Sequence, residues 1–248
     1  SQRNWYMSSP VFEPTRPSSA DYSYVESYDE TLSSNNWINL GETNKLLIAK
    51  GYVVYPATTG EKTITFTGTL NTGDKTIGLT STAANTTYQG FNLVGNPYPS
   101  YLNIDNLQSN TDIVQSVWYR AQDASNTYVF DTYNIPSGLS TGLSGKAVTK
   151  FIPPMQAFWL RVAAGKTSAT VNFLNANRGH IDNTNNVFRA PAAVANQILR
   201  LQLTNGTATD ETVLYFNANA ANGYDAYDSP KMLNNGTTVP NLYTTVGT

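Results

Sequence analysis

Apolar residues in this chain recur at every second position in short runs, and each run is cut by proline, glycine or an Asn/Asp turn. That period marks half-buried strands. Trp5-Tyr6-Met7, the Tyr22/Tyr24/Val25 segment and Trp37-Ile38-Asn39-Leu40 open the series. Residues 46–55 form the most apolar run of the first half and read as one central strand ended by Pro56, with Ala157-Phe158-Trp159-Leu160 as its later counterpart. Ile64/Phe66 and Val171/Phe173 give strict alternation. Three hairpins are predicted: 63–67 with 76–79 through Asn71-Thr72-Gly73-Asp74, 114–121 with 127–130, and 199–204 with 212–217. One short helical turn is expected over 103–108, and almost no other helix.

The organising stretch is Gly90-Phe91-Asn92-Leu93-Val94-Gly95-Asn96-Pro97-Tyr98-Pro99-Ser100. Its apolar residues extend a sheet until Pro97 and Pro99, which lack the N–H a ladder needs. Trp5-Tyr6-Met7-Ser8-Ser9-Pro10 uses the same device. Matching features are offset by 87 residues (Pro10 to Pro97) and by 106 (Tyr52 to Phe158), with Ile64 set against Val171. Two readings stand: an internally duplicated pair of halves, or one irregular sandwich with regularly spaced strands. The fold class is all-β, a β-sandwich-type domain over 1–188 with halves 1–88 and 89–188 under the first reading. A small-residue linker follows at 189–196, then a smaller, incomplete C-terminal β unit over 197–248, and the natural protein is expected to continue past Thr248.

Composition narrows the partners. Charged residues make up 13% of the chain, about half the usual share, and the net charge of -2 comes without basic runs. Nucleic acid is therefore not an expected partner. The longest apolar runs fall far short of the ~20 residues of a membrane helix, so no membrane insertion is expected. No charged, then apolar, leader opens the chain, which reads as a mature or internal fragment. A Thr-, Asn- and Tyr-rich surface with few charges fits an extracellular or outer cell-surface address.

Candidate chemistry is sparse. Without cysteine, thiol catalysis, disulfides and thiolate metal sites are ruled out, and His180 is the one histidine on which a Ser-His-Asp triad could be built. Asp182-Asn183-Thr184-Asn185-Asn186 and the Asp225/Asp228 pair are oxygen-rich, but lack the glycine and final glutamate of an EF-hand loop, so turn formation is their expected role. No metal site, cofactor or catalytic residue is assigned. The sequons at Asn85, Asn205 and Asn235 read as polar loop residues. Of the 16 tyrosines and four tryptophans, Tyr98, Tyr101, Trp118 and Tyr133 are the candidate ligand-binding platform, while Trp5, Trp37 and Trp159 read as core.

Five motifs occur in order: Asn4-Trp5-Tyr6-Met7-Ser8-Ser9-Pro10-Val11, the Gly90-to-Ser100 stretch, Ile152-Pro153-Pro154-Met155-Gln156-Ala157-Phe158-Trp159, Asn177-Arg178-Gly179-His180, and Gly223-Tyr224-Asp225-Ala226-Tyr227-Asp228. Together they resemble the β-rich module that precedes the C-terminal sorting domain of bacterial type IX secretion system surface proteins. That family often has glycine where this chain has Ala157. The resemblance implies export to the cell surface and a non-catalytic architecture, and it transfers no ligand residues. The expected function is an extracellular structural or adhesive module with protein partners or self-association into a fibre or layer; the alternative is a carbohydrate-binding accessory module that takes a glycan on exposed aromatics.

Overall fold

Alternation turns into antiparallel pairing throughout the described residues. In the computed structural model these are 3–145, 148–180, 197–234 and 238–245. The first sheet holds β1 (Trp5–Met7), β2 (Tyr22–Tyr28), β3 (Trp37–Asn39) and β4 (Tyr52–Pro56) in the order β1-β4-β2-β3. After β5 (Lys75–Thr80) come β6 (Phe91–Gly95), β7 (Tyr101–Asn103), β8 (Ser116–Gln122), β9 (Tyr128–Asn134) and β10 (Leu139–Ser140). They are followed by β11 (Phe151–Ile152), β12 (Ala157–Arg161), β13 (Ser168–Phe173) and β14 (Arg178–Gly179). The second sheet runs β10-β9-β8-β12-β6, while β11-β7-β14 and β13-β5 form small sheets. β15 (Gln197–Thr204) and β16 (Thr209–Phe216) make a separate hairpin. Among the described residues, helix is confined to two 3-10 turns, Asp105–Ser109 and Asn175–Asn177. The fold is all-β.

The two large sheets repeat one plan. In each, the first strand pairs with the last, the last with the second, and the second with the third, so that β1-β4-β2-β3 corresponds to β6-β12-β8-β9. Where the sheets meet, the hydrogen bonds are exchanged in pairs: Ser8 N donates to Met155 O and Gly95 N to Ala49 O, both at 2.9 Å. The bridges Met7–Gln156 and Lys50–Val94 are matched in the same way. Ala49 (φ 59°) and Met155 (φ 60°) both adopt the left-handed region, just before β4 and β12 respectively. Non-glycine residues rarely do so; here each turns its carbonyl towards the opposite half.

That left-handed turn explains why 46–55 is not one strand. The chain bends at Ala49 and only Tyr52–Pro56 joins the sheet, while Leu46 is buried beneath it. The predicted 63–67/76–79 hairpin does not form either. β5 instead pairs with β13 over six residues, Lys75–Phe173 to Thr80–Ser168, and Ile64 and Phe66 pack as loop residues on the Met7, Tyr22 and Val54 cluster. A long-range partner has displaced the local one.

Three apolar clusters hold the layers. One joins the two sheets through Tyr28 and Val53 on one side and Phe91, Leu93, Trp118 and Trp159 on the other. A second backs the first sheet, and a third lies between the second sheet and β13, with Tyr98, Leu102, Val117, Phe158 and Phe173 fully or almost fully buried. Asn96 locks the organising stretch: its Nδ2 donates to the carbonyls of Ser100, Ile152 and Pro153, and its Oδ1 accepts from Tyr98 N. The prolines do end β6, as expected, and this buried amide takes over the hydrogen bonding there.

The segment after β16 lies across the second sheet. Trp118 Nε1 donates to Pro230 O at 3.2 Å, Ser116 and Ser229 share a hydroxyl hydrogen bond, and Lys231 pairs with the buried Asp210 of β16. β15 itself is exposed along its whole length. The 189–196 linker and the 188 boundary lie outside the described residues. No helix among the described residues is long and apolar enough to cross a membrane.

Candidate functional site

Antiparallel register sorts the aromatics of the two sheets onto facing surfaces. In the first sheet Tyr6 pairs with Val53 and Val53 with Glu26, Tyr24 pairs with Tyr55, and Tyr28 pairs with Trp37, which puts all of these side chains on one face. In the second, Trp118 pairs with Trp159, Arg120 with Phe130 and Gln122 with Tyr128. The two faces meet in a cleft of about 290 Å³ lined by Asn4, Tyr6, Glu26, Tyr28, Trp37, Val53, Tyr88, Arg120, Tyr128, Phe130, Trp159 and Met232. Seven of these twelve are aromatic.

The rings are fixed against one another. Trp37 meets Tyr6, Tyr28 and Trp159 edge-on at 6.4, 5.3 and 5.9 Å, and Tyr28 meets Trp159 at 4.8 Å. Tyr24 stacks on Tyr55 and donates its hydroxyl hydrogen to Asn4 Oδ1, while Asn4 N donates to the Tyr128 hydroxyl. A rim of this kind is preorganised.

A guanidinium and a carboxyl stand among these rings. The Arg120 guanidinium lies 4.4 Å from the Phe130 ring centre and 5.4 Å from that of Tyr128, with one long hydrogen bond from Nη1 to Asn234 Oδ1. Burial lowers its pKa. Burial also raises the Glu26 carboxyl and pushes the Tyr6 hydroxyl up to about 12. Among the described residues, neither Arg120 nor Glu26 forms an ion pair. Glu26 is the one carboxylate lining the cleft. The arrangement offers flat rings, a cation and a carboxyl for contact.

The aromatics singled out from sequence are elsewhere. Trp118 and Tyr98 are fully buried, Tyr133 is nearly so, and only Tyr101 in β7 is partly exposed. Tyr98 donates its hydroxyl to Gly73 O and Phe173 O, a core anchor, not a platform. The four therefore do not form a binding surface. Conversely, Trp5, read as core, is 48% exposed, and Trp37 lines the cleft. β1 and β3 have three residues each, too few for alternation to reveal which face is covered.

Several of the remaining candidates are tied into the fold by their own hydrogen bonds. Asp225 accepts from Tyr227 N and Ala221 N, and Asp228 accepts from Asp225 N, as turn formers do. Asn85 is buried against the Tyr28 hydroxyl, Asn205 caps its own turn, and His180 is exposed. Asp182-Asn183-Thr184-Asn185-Asn186 and the sequon at Asn235 lie outside the described residues.

A family model described as a domain of unknown function (DUF8693) matches residues 4–248. No curated protein and no solved structure matches the chain.

Proposed function

The chain belongs to the DUF8693 family, and from that premise we propose that it is a non-catalytic adhesive module of an extracellular surface protein that holds a glycan in the cleft between its two sheets. The observation that carries this reading is the cleft itself, with seven aromatic side chains around an arginine and a glutamate that form no ion pair among the described residues. Sugars present apolar C–H faces to aromatic rings and hydroxyls to polar edges, and this lining supplies both kinds of surface. The charge-poor composition and the resemblance to modules of type IX secretion surface proteins support the extracellular address. A glycan screen of the purified chain, repeated with Trp37→Ala and with thermal melting as a folding control, tests the reading. Binding that Trp37→Ala removes from a folded protein is expected. Glycan binding indifferent to Trp37→Ala, or no binding, would overturn it.

A second reading, self-association through the C-terminal hairpin, is favoured by the leucines of β15. Leu199, Leu201 and Leu203 share one face and are 46%, 40% and 46% exposed. Among the described residues β15 pairs only with β16, so its other edge is open to strand addition. A second copy fits that edge. Antiparallel pairing centred on Leu201 sets Leu199 opposite Leu203 and Arg200 opposite Gln202, with no like charges facing. Light scattering should then show mass rising with concentration, and Leu201→Lys should abolish the rise; a monomer at all concentrations removes this reading.

A further inference from the structure

Among the described residues, no carboxylate pairs with the cations along this cleft. A second cavity, of about 230 Å³, adjoins the first and shares Asn4, Tyr6, Arg120 and Tyr128 with it, so that Arg120 stands at their junction. Arg3 lines the second cavity, with its guanidinium 3.7 Å above the Trp5 ring and one hydrogen bond to Gln122 Oε1. Neither arginine has a carboxylate within ion-pair distance among the described residues. Asp131, the acid that lines the second cavity, is already held by the N–H groups of Leu143 and Ser144 and lies opposite Tyr119, not Arg120, in the ladder.

Stacking keeps an arginine's planar fork in position without using its donors. Each guanidinium has five N–H groups, and the protein engages one from each here. The remainder suit a bidentate anion. A ligand for this groove therefore offers flat apolar faces to the rings and at least one anionic group to the arginines.

Resting on the glycan reading above, we infer that the ligand is an acidic saccharide, a uronate- or sulfate-bearing chain whose anionic group is taken by Arg120, with Arg3 as the second anion contact. Glu26 lines the first cavity only. The anionic group is thereby steered towards the Arg120–Arg3 side. A peptide rich in acids shares the charge but not the hydroxyl-bearing ring faces that the aromatic lining fits.

Calorimetric titration of the full chain tests this with oligogalacturonate, its methyl ester, a sulfated galactan oligosaccharide, a neutral galactan oligosaccharide and a polyglutamate peptide. At least one acidic sugar should bind about tenfold tighter than its uncharged counterpart. High salt should narrow that gap. Arg120→Gln should erase it, and Arg3→Gln, at the edge of the fold, should reduce it even if Arg120→Gln proves unstable. Equal binding of neutral and acidic sugars, or a gap that survives both substitutions, overturns the anionic assignment and leaves the glycan cleft standing. Polyglutamate binding as tightly as the acidic sugars overturns the saccharide assignment. No binding of any probe at millimolar concentration removes both.

Discussion

Gly95 and Ser8 face each other where the two halves meet, so closely that a Cβ on Gly95 would lie 2.2 Å from the Ser8 Cβ. On the other side of the same junction, a Cβ on Gly51 would lie 3.0 Å from that of Ala157 and 2.6 Å from Leu93 Cγ. Each contact pairs a glycine with a small residue from the opposite half. At Ala157 the close approach is made possible by Gly51 on the opposite half.

Gly95→Ala is accordingly expected to be among the most damaging small substitutions in the chain. Ser8 cannot yield, because it is fully buried and its Oγ donates to Asn96 O at 2.5 Å. Overpacking of this kind costs about 1–3 kcal/mol or more. Gly78→Ala is the control: it sits in a strand with nothing within 4 Å of the added methyl. Urea denaturation of both variants should separate them, and equal midpoints would contradict the close-contact account.

Asn96 carries the next prediction. Its amide serves three carbonyls and one N–H in a site with no solvent exposure. Asn96→Ala leaves all four without that partner, and about 3 kcal/mol of stability should be lost. Asn96→Asp retains the acceptor for Tyr98 N but turns a carboxylate towards three carbonyl oxygens, so it should rescue little at neutral pH. A near-wild-type melt for either variant would show that the amide is not the lock.

Much of this fold is legible in the chain, for reasons that can be traced. The 87- and 106-residue offsets bring Met7 to Val94 and Tyr52 to Phe158, positions that occupy equivalent places in the two ladders: Met7 pairs with Tyr52, and Val94 with Phe158. Proline after a strand and an aromatic central strand are local signals, so they survive without knowledge of the partner. The third match, Ile64 with Val171, fails because β5 takes its register from β13, about 90 residues away, and no turn signal records that choice. The cleft was missed for a related reason. Its aromatics come from β1, β2, β3, β9, β12 and the loop before β6, and only the register between distant strands shows which of the strand residues share a face. Trp118 misled because β8 is covered on both faces, so Val117 and Trp118 are both buried and the alternation vanishes.

The Asp210–Lys231 pair should act as the clasp of the C-terminal segment. Asp210 is fully buried, accepts from Lys231 Nζ at 2.5 Å and from Leu242 N at 2.6 Å, and belongs to β16. Removing one partner of a buried pair strands the other charge, at a cost of about 3–5 kcal/mol. Lys231→Met should therefore release the segment beyond β16, seen as faster proteolytic cleavage around 217–234. The double substitution Asp210→Leu/Lys231→Met should recover part of the loss. Unchanged cleavage in Lys231→Met would mean that the segment's other contacts, Trp118–Pro230 and Ser116–Ser229 among them, are enough to hold it.

Glu26 supplies a prediction in pH. Its carboxyl lies on the cleft face between Tyr24 and Tyr28, and burial raises its pKa above the usual 4.5. The folded chain thus holds this proton more tightly than the unfolded chain does. Below the ordinary carboxyl pKa both states are protonated and burial carries no penalty; as pH rises through the window up to the raised value, the folded state alone resists ionisation and stability falls. Above that window the full desolvation cost remains. Glu26→Gln keeps the shape and removes the charge, so it should melt higher than the parent at about pH 7 and match it at about pH 3. Melting curves of the two proteins across that range decide the point. A Glu26→Gln protein that melts lower at neutral pH would show that the carboxylate has a favourable partner in the folded state, and a difference that does not change with pH would show that the effect is steric.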